Sequence, residues 1–388
     1  MNPQLPVGWA GSDAFRQFAE RPHLRGEDID AFLAGHQVPI VEGSNCTFLW
    51  RGQADEVRLR HWIFGLTSAQ AFMRLHGTDL WFITMELPLK SRVEYKIEVE
   101  RGGRIELQQD SLNPMMARDP FGANSVVSGT GYEVPDWVRY DPEARTGTLE
   151  ELQVRSNVMR RDQRVMLYLP ARFRRTRRYP LLVVHDGGDF LEYSGMKTIL
   201  DNLIYRFEIP EMIVAFTYPG QRLVEYAHDP AHARWLTEEL VPKLETHYPV
   251  SNRPEERGLM GASFGAVASF STACRYPGFF GRLFLLSGSF AFTDIGRHQR
   301  GPYFDPVVEF INGYRMNPVP VADRVMVTCG TYESLIYENR SFIPLLQSTG
   351  MEVRYSEARD GHNWENWRDR QREGLAWLFP GPLWMVYL

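Results

Sequence analysis

The pattern of apolar and polar positions changes twice along the chain. Residues 1–40 contain two short amphipathic stretches, FRQFAERP and EDIDAFLAGH, which predict helices. From Asn45 the apolar residues alternate or cluster in β-rich runs separated by turn residues, at 46–52, 56–64, 80–87, 93–102 and 104–110. Short strands at regular spacing favour a β-sandwich of roughly a hundred residues. The Pro-, Asp- and Gly-rich stretch 111–137 has no clean periodicity, and we interpret it as a linking segment.

After Gly147 the pattern alternates between strands and helices. The runs TLEELQVRS and QRVMLYLP predict a leading antiparallel pair, and continuous apolar strands follow in LLVVHDGG, MIVAFTYPG, RGLMGA, RLFLLSGSF and RVMVTCG. Apolar strands separated by helices indicate a mostly parallel sheet with helices on both faces. The predicted organisation is therefore a helical segment at 1–40, an all-β sandwich with its linker at 41–146, and an α/β catalytic domain at 147–388.

Composition excludes several classes of partner. Lys and Arg number 43 against 48 Asp and Glu, for a net charge of −5, so the chain lacks the basic surplus of a nucleic-acid-binding protein. No apolar run approaches the roughly 20 residues that cross a bilayer, and no signal peptide is apparent, so we expect no membrane partner. The three cysteines, Cys46, Cys274 and Cys329, form no C-x-x-C pair. Reduced thiols fit best, which favours a cytoplasmic location.

The sharpest chemical signal is GASFG at 261–265, a G-x-S-x-G motif between a short strand and a helix rich in small residues. In this motif the serine occupies a strained strand-to-helix turn, and the glycines leave room for the crossing backbones. The hydroxyl of Ser263 would then stand at a helix N-terminus, where the helix dipole and a free amide favour a developing oxyanion. The pentapeptide alone also fits an ordinary glycine-rich turn, but the surrounding strand and helix favour a nucleophile.

A serine nucleophile needs a base, and in this fold the chain order is Ser, then Asp or Glu, then His. Beyond Ser263 the histidines are His298 and His362. His362 follows the strand VRYSEA and a glycine, whereas His298 lies in a polar stretch with no strand leading into it. The acid is expected after the strand RVMVTCG, where Glu333 stands in the loop. Glu338 falls one turn further, inside a predicted helix, and Asp323 precedes the strand at the wrong end of the sheet.

An oxyanion hole requires two backbone amides. One is expected from Phe264, the residue after the nucleophile, and the other from the turn after the strand LLVV. Gly187 and Gly188 both fit that position because glycine lets the backbone approach a substrate closely. The sequence does not choose between them.

These residues resemble the esterase family that includes the enterochelin esterases. The shared motifs are HDGG at 185–188, RLVEY at 222–226, LTEELVPKLE at 236–245, GASFG, CGTYE with a later NR, and GHNWENWR at 361–368. In the first domain, FLWRG, GTDLWFITMEL, VEYKIEV and DSLNP resemble the immunoglobulin-like domain that precedes the hydrolase in enterochelin esterases. Here GHNW replaces the GHDW often seen at the histidine, and DGGD replaces DG followed by a bulkier residue.

The resemblance implies an immunoglobulin-like sandwich followed by an α/β-hydrolase domain, with Ser263 as nucleophile, His362 as base and Glu333 as acid. It implies hydrolysis of a carboxylic ester through an acyl-enzyme, with a siderophore trilactone as a candidate substrate and no cofactor or metal. His228 and His232 are four residues apart, but Pro230 between them breaks the helix that would aim both at one ion. Candidate substrate contacts are Arg118, Arg222 and Trp364, each of which also fits a surface or core role.

Three alternatives remain open. An alcohol acceptor in place of water would make the chain an acyltransferase, and a feruloyl or acetyl carbohydrate esterase would share the domain order. A non-enzymatic interpretation is a glycan-binding sandwich fused to an inert hydrolase scaffold. The expected partner is a small-molecule ester, and the sequence does not determine the oligomeric state.

Overall fold

The computed structural model describes residues 5, 9, 11–292 and 300–382. The described residues form two compact units. Unit 1 contains those up to Glu133, together with two later segments, Thr331–Glu333 and Ala358–Asn363. Unit 2 contains those of Val134–Gly330 and Ser334–Glu357, and those from Trp364 onward. Among the described residues, no helix has both the length and the apolar character needed to cross a membrane.

Unit 1 begins with two helices and continues as antiparallel strands. The helices are α1 (Asp13–Ala19) and α2 (Gly26–Ala34). The strands are β1 (Ile40–Glu42), β2 (Asn45–Arg51), β3 (Glu56–His61), β4 (Ala69–Ala71), β5 (Met73–Arg74), β6 (Leu80–Glu86), β7 (Arg92–Arg101), β8 (Arg104–Gln108), β9 (Met116–Asp119) and β10 (Gly122–Ser128). One sheet has the order β1-β2-β6-β5, and the other has the order β4-β3-β7-β10-β9 with β8 also paired to β7.

The core of unit 1 follows from the period-two alternation of its strands. In β7, Val93, Tyr95, Ile97 and Val99 are buried while the residues between them are more exposed. They pack in one apolar cluster with side chains of β2 and β6, so the inner faces of the two sheets share a core. Helices α1 and α2 pack with residues of β2 and β6 in a second cluster.

The prediction that 111–137 is a linking segment is wrong for much of its length. The strands β9 and β10 form an antiparallel hairpin there, with Gly122 opposite Asp119. The Asp119 carboxylate accepts a hydrogen bond from the Phe121 amide at 2.7 Å, which closes the turn. The alternation in β9 spans only four residues, one of them buried, and is too short to register as a pattern.

Unit 2 is built on one eight-stranded sheet. Its strands are β11 (Thr148–Ser156), β12 (Arg161–Leu169), β13 (Leu181–Val184), β14 (Ile213–Thr217), β15 (Arg257–Ala262), β16 (Arg282–Leu286), β17 (Arg324–Gly330) and β18 (Glu352–Ala358), in the order β11-β12-β14-β13-β15-β16-β17-β18. The leading pair β11–β12 is antiparallel, and the five strands from β14 to β17 in that order are parallel. Both predictions are confirmed.

Helices cover both faces of this sheet. They are α3 (Gly187–Glu192), α4 (Met196–Tyr205), α5 (Arg222–Glu225), α6 (Pro230–Arg234), α7 (Val241–His247), α8 (Phe264–Arg275), α9 (Asp305–Met316), α10 (Ile336–Ser348) and α11 (Trp364–Leu378). A π-helix spans Trp235–Leu240, and short 3-10 helices span Asp136–Val138, Pro254–Glu256 and Pro302–Phe304. In β13, Leu181 and Val183 join a core with α7, α8, α9 and α10, whereas Leu182 and Val184 join a second core with α3, α4 and α11.

Candidate active site

Ser263 occupies a strained turn between β15 and α8. It has φ 58° and ψ −120°, a conformation that costs free energy for a residue with a side chain. Gly261 is required here because a Cβ at that position would lie 2.4 Å from the backbone carbon of Gly265. A Cβ at Gly265 would lie 3.2 Å from the Cβ of His185, a tighter approach than most side chains tolerate. The steric account of the G-x-S-x-G motif is therefore confirmed.

Hydrogen bonds fix this turn to the neighbouring strand. The Ser263 amide donates to the carbonyl of Leu286, the last residue of β16, at 2.9 Å. The Ser263 hydroxyl lies 3.2 Å from the hydroxyl of Ser289, whose amide donates to the Ser263 carbonyl at 3.3 Å. Ser289 is a neighbour that the sequence analysis missed, although it lies three residues beyond the end of a buried strand. Ser263 itself is only partly buried, so its hydroxyl is accessible.

Glu333 and His362 form the pair that the sequence analysis predicted. The Glu333 Oε2 atom lies 2.7 Å from His362 Nδ1. The Glu333 side chain is fully buried, whereas that of His362 is 37% exposed. Because a carboxylate only accepts, the proton of a neutral imidazole belongs on Nδ1, and Nε2 is then the unprotonated nitrogen of the ring. Glu333 and His362 both belong to unit 1, and Ser263 belongs to unit 2.

The alternative acids and base are placed differently. Glu338 lies in α10, as predicted, and Arg300 Nη2 donates to its Oε1 at 2.5 Å. Burial raises the pKa of Glu338, and the nearby Arg300 opposes that shift. Asp323 precedes β17 and pairs with Arg282 at 3.1 Å. His298 lies outside the described residues.

The residues proposed for the oxyanion hole lie at helix N-termini. Phe264 is the first residue of α8, and Gly187 and Gly188 open α3. The first amides of a helix have no acceptor within the helix, so they can serve a substrate. A Cβ at Gly187 would lie 2.5 Å from the Cα of Phe216, and one at Gly188 would lie 2.4 Å from the ring of Tyr218. Neither observation decides which of the two glycines serves, and both stay predictions.

The turn before α3 is held by an ion pair. Asp186 has φ 52°, and its two carboxylate oxygens accept from Arg222 Nε at 2.8 Å and Nη2 at 2.7 Å. The amide of Asp186 donates to the hydroxyl of Tyr226 at 3.1 Å. The guanidinium of Arg222, predicted as a substrate contact, is thus engaged by Asp186 within the protein. The sequence analysis singled out both motifs for their resemblance and did not predict this bond.

The other two candidate substrate contacts are Arg118 and Trp364. Arg118 is an exposed residue of β9 in unit 1. Trp364 begins α11 in unit 2 and is 92% buried in the core beside Phe190 and Trp367, with ring centroids 5.2 Å and 4.8 Å away. This placement agrees with a core role for Trp364.

Three histidines near α8 form hydrogen bonds within the protein. His228 has φ 69° and precedes α6, of which Pro230 is the first residue, so the helix does not carry both His228 and His232. His228 Nδ1 lies 2.7 Å from Ser271 Oγ, whereas His232 Nε2 lies 3.0 Å from His185 Nε2. No three or more His, Cys, Asp or Glu side chains of the described residues are grouped so that they could hold a metal ion.

A parallel sheet covered by helices, with a strained serine after a central strand, is typical of esterases. The family model described as "Putative esterase" matches residues 156–378, and this chain belongs to that family. It is similar to the Iron(III) enterobactin esterase of Escherichia coli O6:H1 (strain CFT073), at 24% identity over 86% of this chain and 90% of that protein. The chain is therefore an esterase, and it is similar to Iron(III) enterobactin esterases over most of its length.

Solved structures show the same fold. The enterobactin esterase of Shigella flexneri, determined in the presence of enterobactin, superimposes with a TM-score of 0.73 at 19% identity, over 92% of this chain and 99% of that chain. A ferulic acid esterase superimposes with a TM-score of 0.53 at 19% identity, over 60% of this chain and 98% of that chain. The enterochelin esterase-like fold therefore extends over both units, whereas the ferulic acid esterase covers a smaller part of the chain.

Proposed function

We propose that the chain is a serine carboxylic ester hydrolase that works through an acyl-enzyme, with Ser263 as nucleophile, His362 as base and Glu333 as the acid that orients the base. The observation that carries the proposal is the strained backbone of Ser263 at the N-terminus of α8. Such strain persists only where the surrounding structure over-determines it, and it concentrates at functional sites. The bond between Glu333 and His362 supplies a base that is already oriented.

The proposed chemistry has two steps. Ser263 Oγ attacks the acyl carbon while His362 Nε2 takes its proton, and the imidazolium then returns that proton to the leaving alcohol. Water attacks the acyl-enzyme with the same base, which releases the acid and regenerates the serine. The amide of Phe264 and that of Gly187 or Gly188 would stabilise the oxyanion in both steps.

The sheet supports this assignment of roles. Strands β15 and β17 are parallel and have only β16 between them, so the residues that follow both strands leave the sheet at the same edge. Adjacent strands are about 4.8 Å apart, so the ends of β15 and β17 lie about 10 Å from each other. Ser263 follows β15 directly, and Glu333 is three residues beyond the end of β17.

The resemblance that the motifs carry extends the proposal to the domains. We assign the two sheets of unit 1 to an immunoglobulin-like sandwich and the eight-stranded sheet to an α/β-hydrolase domain. The assigned domains are a helical segment at 1–40, the sandwich with its linker at 41–146, and the hydrolase at 147–388. The three free cysteines are consistent with the proposed cytoplasmic location.

The proposed substrate is a siderophore trilactone or a related natural-product ester. Relatives named Iron(III) enterobactin esterase match along most of this chain, whereas the match to the ferulic acid esterase covers 60% of it, which is too little to span both units. The DGGD turn and the GHNW motif differ from the family pattern beside the proposed catalytic residues. We therefore propose a class of substrate and not one compound.

The test compares wild type with Ser263→Ala and with Ser271→Ala as the matched control. Ser271 lies on α8, the helix that Ser263 precedes, has the same side chain in a buried position, and bonds to His228 instead of lying in the turn of Ser263. A fluorophosphonate probe should label wild type and Ser271→Ala, and mass spectrometry should locate the adduct on Ser263. Labelling that persists in Ser263→Ala would contradict the proposal, and an unlabelled but folded wild type would favour the inert scaffold.

A substrate panel separates the remaining alternatives. It contains ferric and metal-free catecholate trilactones, aryl esters, and feruloylated and acetylated sugars. Fastest turnover of a trilactone supports the proposed class, whereas fastest turnover of a sugar ester supports a carbohydrate esterase. Added alcohol acceptors should leave the free acid as the main product, and ester products would instead identify an acyltransferase.

A further inference from the structure

The loop Ala358–Asn363, which carries His362, is braced on both sides of the histidine by one carboxylate. Asp360 Oδ1 accepts from the amide of Gly361 at 2.7 Å and from Asn363 Nδ2 at 2.7 Å. The amide of Asn363 also donates to the carbonyl of Gly361 at 3.1 Å. The Asp360 side chain is thus bonded to the backbone of the residue before His362 and to the side chain of the residue after it.

Arg92, the first residue of β7, connects Asp360 and Asn363 to the β-sheet of unit 1. Its Nη1 atom donates to Asn363 Oδ1 at 3.0 Å and to Asp360 Oδ1 at 3.3 Å, and its Nη2 atom donates to Glu94 Oε1 at 3.1 Å. The Arg92 amide donates to the carbonyl of Arg359 at 2.9 Å. The Arg92 side chain is 4% exposed, so the guanidinium is a buried cation surrounded by partners.

The loop that carries Glu333 is fixed to the same region. The amide of Tyr332 donates to the carbonyl of Asp360 at 3.1 Å, and the carbonyl of Tyr332 accepts from the amide of Phe64 at 2.8 Å. The hydroxyl of Tyr332 lies 2.6 Å from the hydroxyl of Ser91, the residue before Arg92. Two consecutive residues of unit 1 therefore hold the segments on both sides of the Glu333–His362 bond.

We propose that Arg92 is a positioning residue for the base, which fixes the backbone around His362 through Asp360 and Asn363. The proposal rests on the role of His362 in the proposed function. It follows that the start of β7, a strand of the β-sandwich, contributes to the rate of ester hydrolysis without touching substrate.

The ion pair between Arg92 and Asp360 is buried, and this burial explains why Asp360 needs the arginine. Burial raises the pKa of Asp360 to about 6, and the charge of Arg92 opposes this shift. Without the guanidinium, Asp360 would lose its cationic partner in a buried position, and Asn363 Oδ1 would lose a donor. A small displacement of a catalytic group is enough to lower a rate by about a hundredfold.

The test measures kcat, KM and the thermal midpoint for Arg92→Ala, Arg92→Lys and Asp360→Asn. The matched control is Arg58→Ala, which removes an arginine bonded to Glu98 and Glu100 on β7, away from the loop. We expect kcat to fall about 10- to 100-fold in Arg92→Ala with KM within about twofold, and a smaller loss in Arg92→Lys. The control should keep both constants within about twofold of wild type.

A second measurement does not depend on activity. The proton shared by His362 Nδ1 and Glu333 should give a downfield NMR resonance, which is assigned by its absence in His362→Gln. Arg92→Ala and Asp360→Asn should shift or broaden that resonance, whereas Arg58→Ala should leave it unchanged. If wild type hydrolyses no ester, the proposed function fails while this resonance still tests the role of Arg92.

Two results would overturn the inference. One is a folded Arg92→Ala protein with wild-type kcat and an unchanged His362 resonance. The other is an equal loss of kcat in Arg58→Ala, which would show that any broken ion pair in the sandwich has the same effect. If Arg92→Ala does not fold, Arg92→Lys and Asp360→Asn decide the matter by the same resonance and the same split between kcat and KM.

Discussion

His362 Nδ1 lies 2.7 Å from Glu333 Oε2, and the carboxylate is fully buried while the imidazole is partly exposed. A buried carboxylate holds the ring in one orientation and stabilises the imidazolium that forms when the ring takes a proton. The exposed part of the ring can reach a reacting group. Glu338, the alternative acid, is placed differently: it lies in α10, and its carboxylate is bonded to Arg300.

Glu333→Gln should lower kcat by about 10²- to 10⁴-fold with a small change in KM, because an amide does not stabilise the imidazolium and can favour the wrong tautomer. The matched control is Glu338→Gln, which should stay within about threefold of wild type. Steady-state kinetics on the best ester of the panel measure both. Wild-type rates in Glu333→Gln together with a loss in Glu338→Gln would assign the acid role to Glu338.

The sequence predicts the pairing of Glu333 with His362 because the order of nucleophile, acid and base is a property of the fold, and each residue follows a recognisable strand. It does not predict the bond of Arg92 to Asp360, which joins residues 268 positions apart. Nor does it predict the bond of Arg222 to Asp186, because an arginine after a strand fits surface, substrate and ion-pair roles equally well. Local patterns determine elements, whereas these contacts depend on how the elements pack.

The same limit explains the misread hairpin at β9 and β10. In β10, Val126 and Val127 are both buried, although neighbouring residues of a strand point to opposite faces. Consecutive buried residues within a Pro- and Gly-rich stretch obscure the period of two in the sequence. The strand is recognised only from its antiparallel pairing with β7 in the structure. In contrast, β7 alternates over nearly its whole length and is predicted correctly.

Gly187→Ala should be more destabilising than Gly188→Ala. A methyl group at 187 would meet the Cα of Phe216 in a central strand, which cannot move, whereas one at 188 would meet the ring of Tyr218, which can rotate. We expect Gly187→Ala to lower the free energy of unfolding by about 1–3 kcal/mol or more. Urea denaturation measures both variants.

Two further variants check this argument. Gly188→Ala combined with Tyr218→Ala should recover part of the stability lost in Gly188→Ala, because the clashing ring is gone. Gly313→Ala is the control, because Gly313 lies in α9 with open space around its Cα and alanine favours the helix by about 0.5–1 kcal/mol. Equal losses of stability in Gly187→Ala and Gly188→Ala would show that the contact with Phe216 is not what makes the substitution at 187 destabilising.

Trp364→Phe should affect stability and leave substrate binding unchanged. The indole packs against Phe190 and Trp367 in the core, so its replacement by a smaller ring leaves a gap. We expect the free energy of unfolding to fall by about 1–3 kcal/mol and KM to stay within about twofold. A severalfold rise in KM at unchanged stability would instead restore Trp364 as a substrate contact.

His232 should make the protein less stable as the pH falls. Burial, and to a lesser degree Arg161, lowers the pKa of His232 to about 3, and burial lowers the pKa of its partner His185 well below the usual value. His185 Nδ1 lies close to the Met260 carbonyl, which only accepts, so that nitrogen carries the proton and His185 Nε2 accepts from His232 Nε2. A second proton on His185 Nε2 would face the proton of His232 Nε2, and one on His232 Nδ1, a buried atom without a hydrogen-bond partner, would have no acceptor.

The sign follows from where the proton binds. Between about pH 6.5 and 3 the unfolded chain protonates His232 and the folded chain does not, so the free energy of unfolding falls by about 1.4 kcal/mol for each unit of decreasing pH. In His232→Gln, which retains a donor for His185, the loss between pH 7 and pH 5 should be about 2 kcal/mol smaller than in wild type. Urea denaturation at both pH values measures the difference, with the exposed His247→Gln as control. Parallel pH dependence in wild type and His232→Gln would mean that the buried imidazole is protonated in the folded protein.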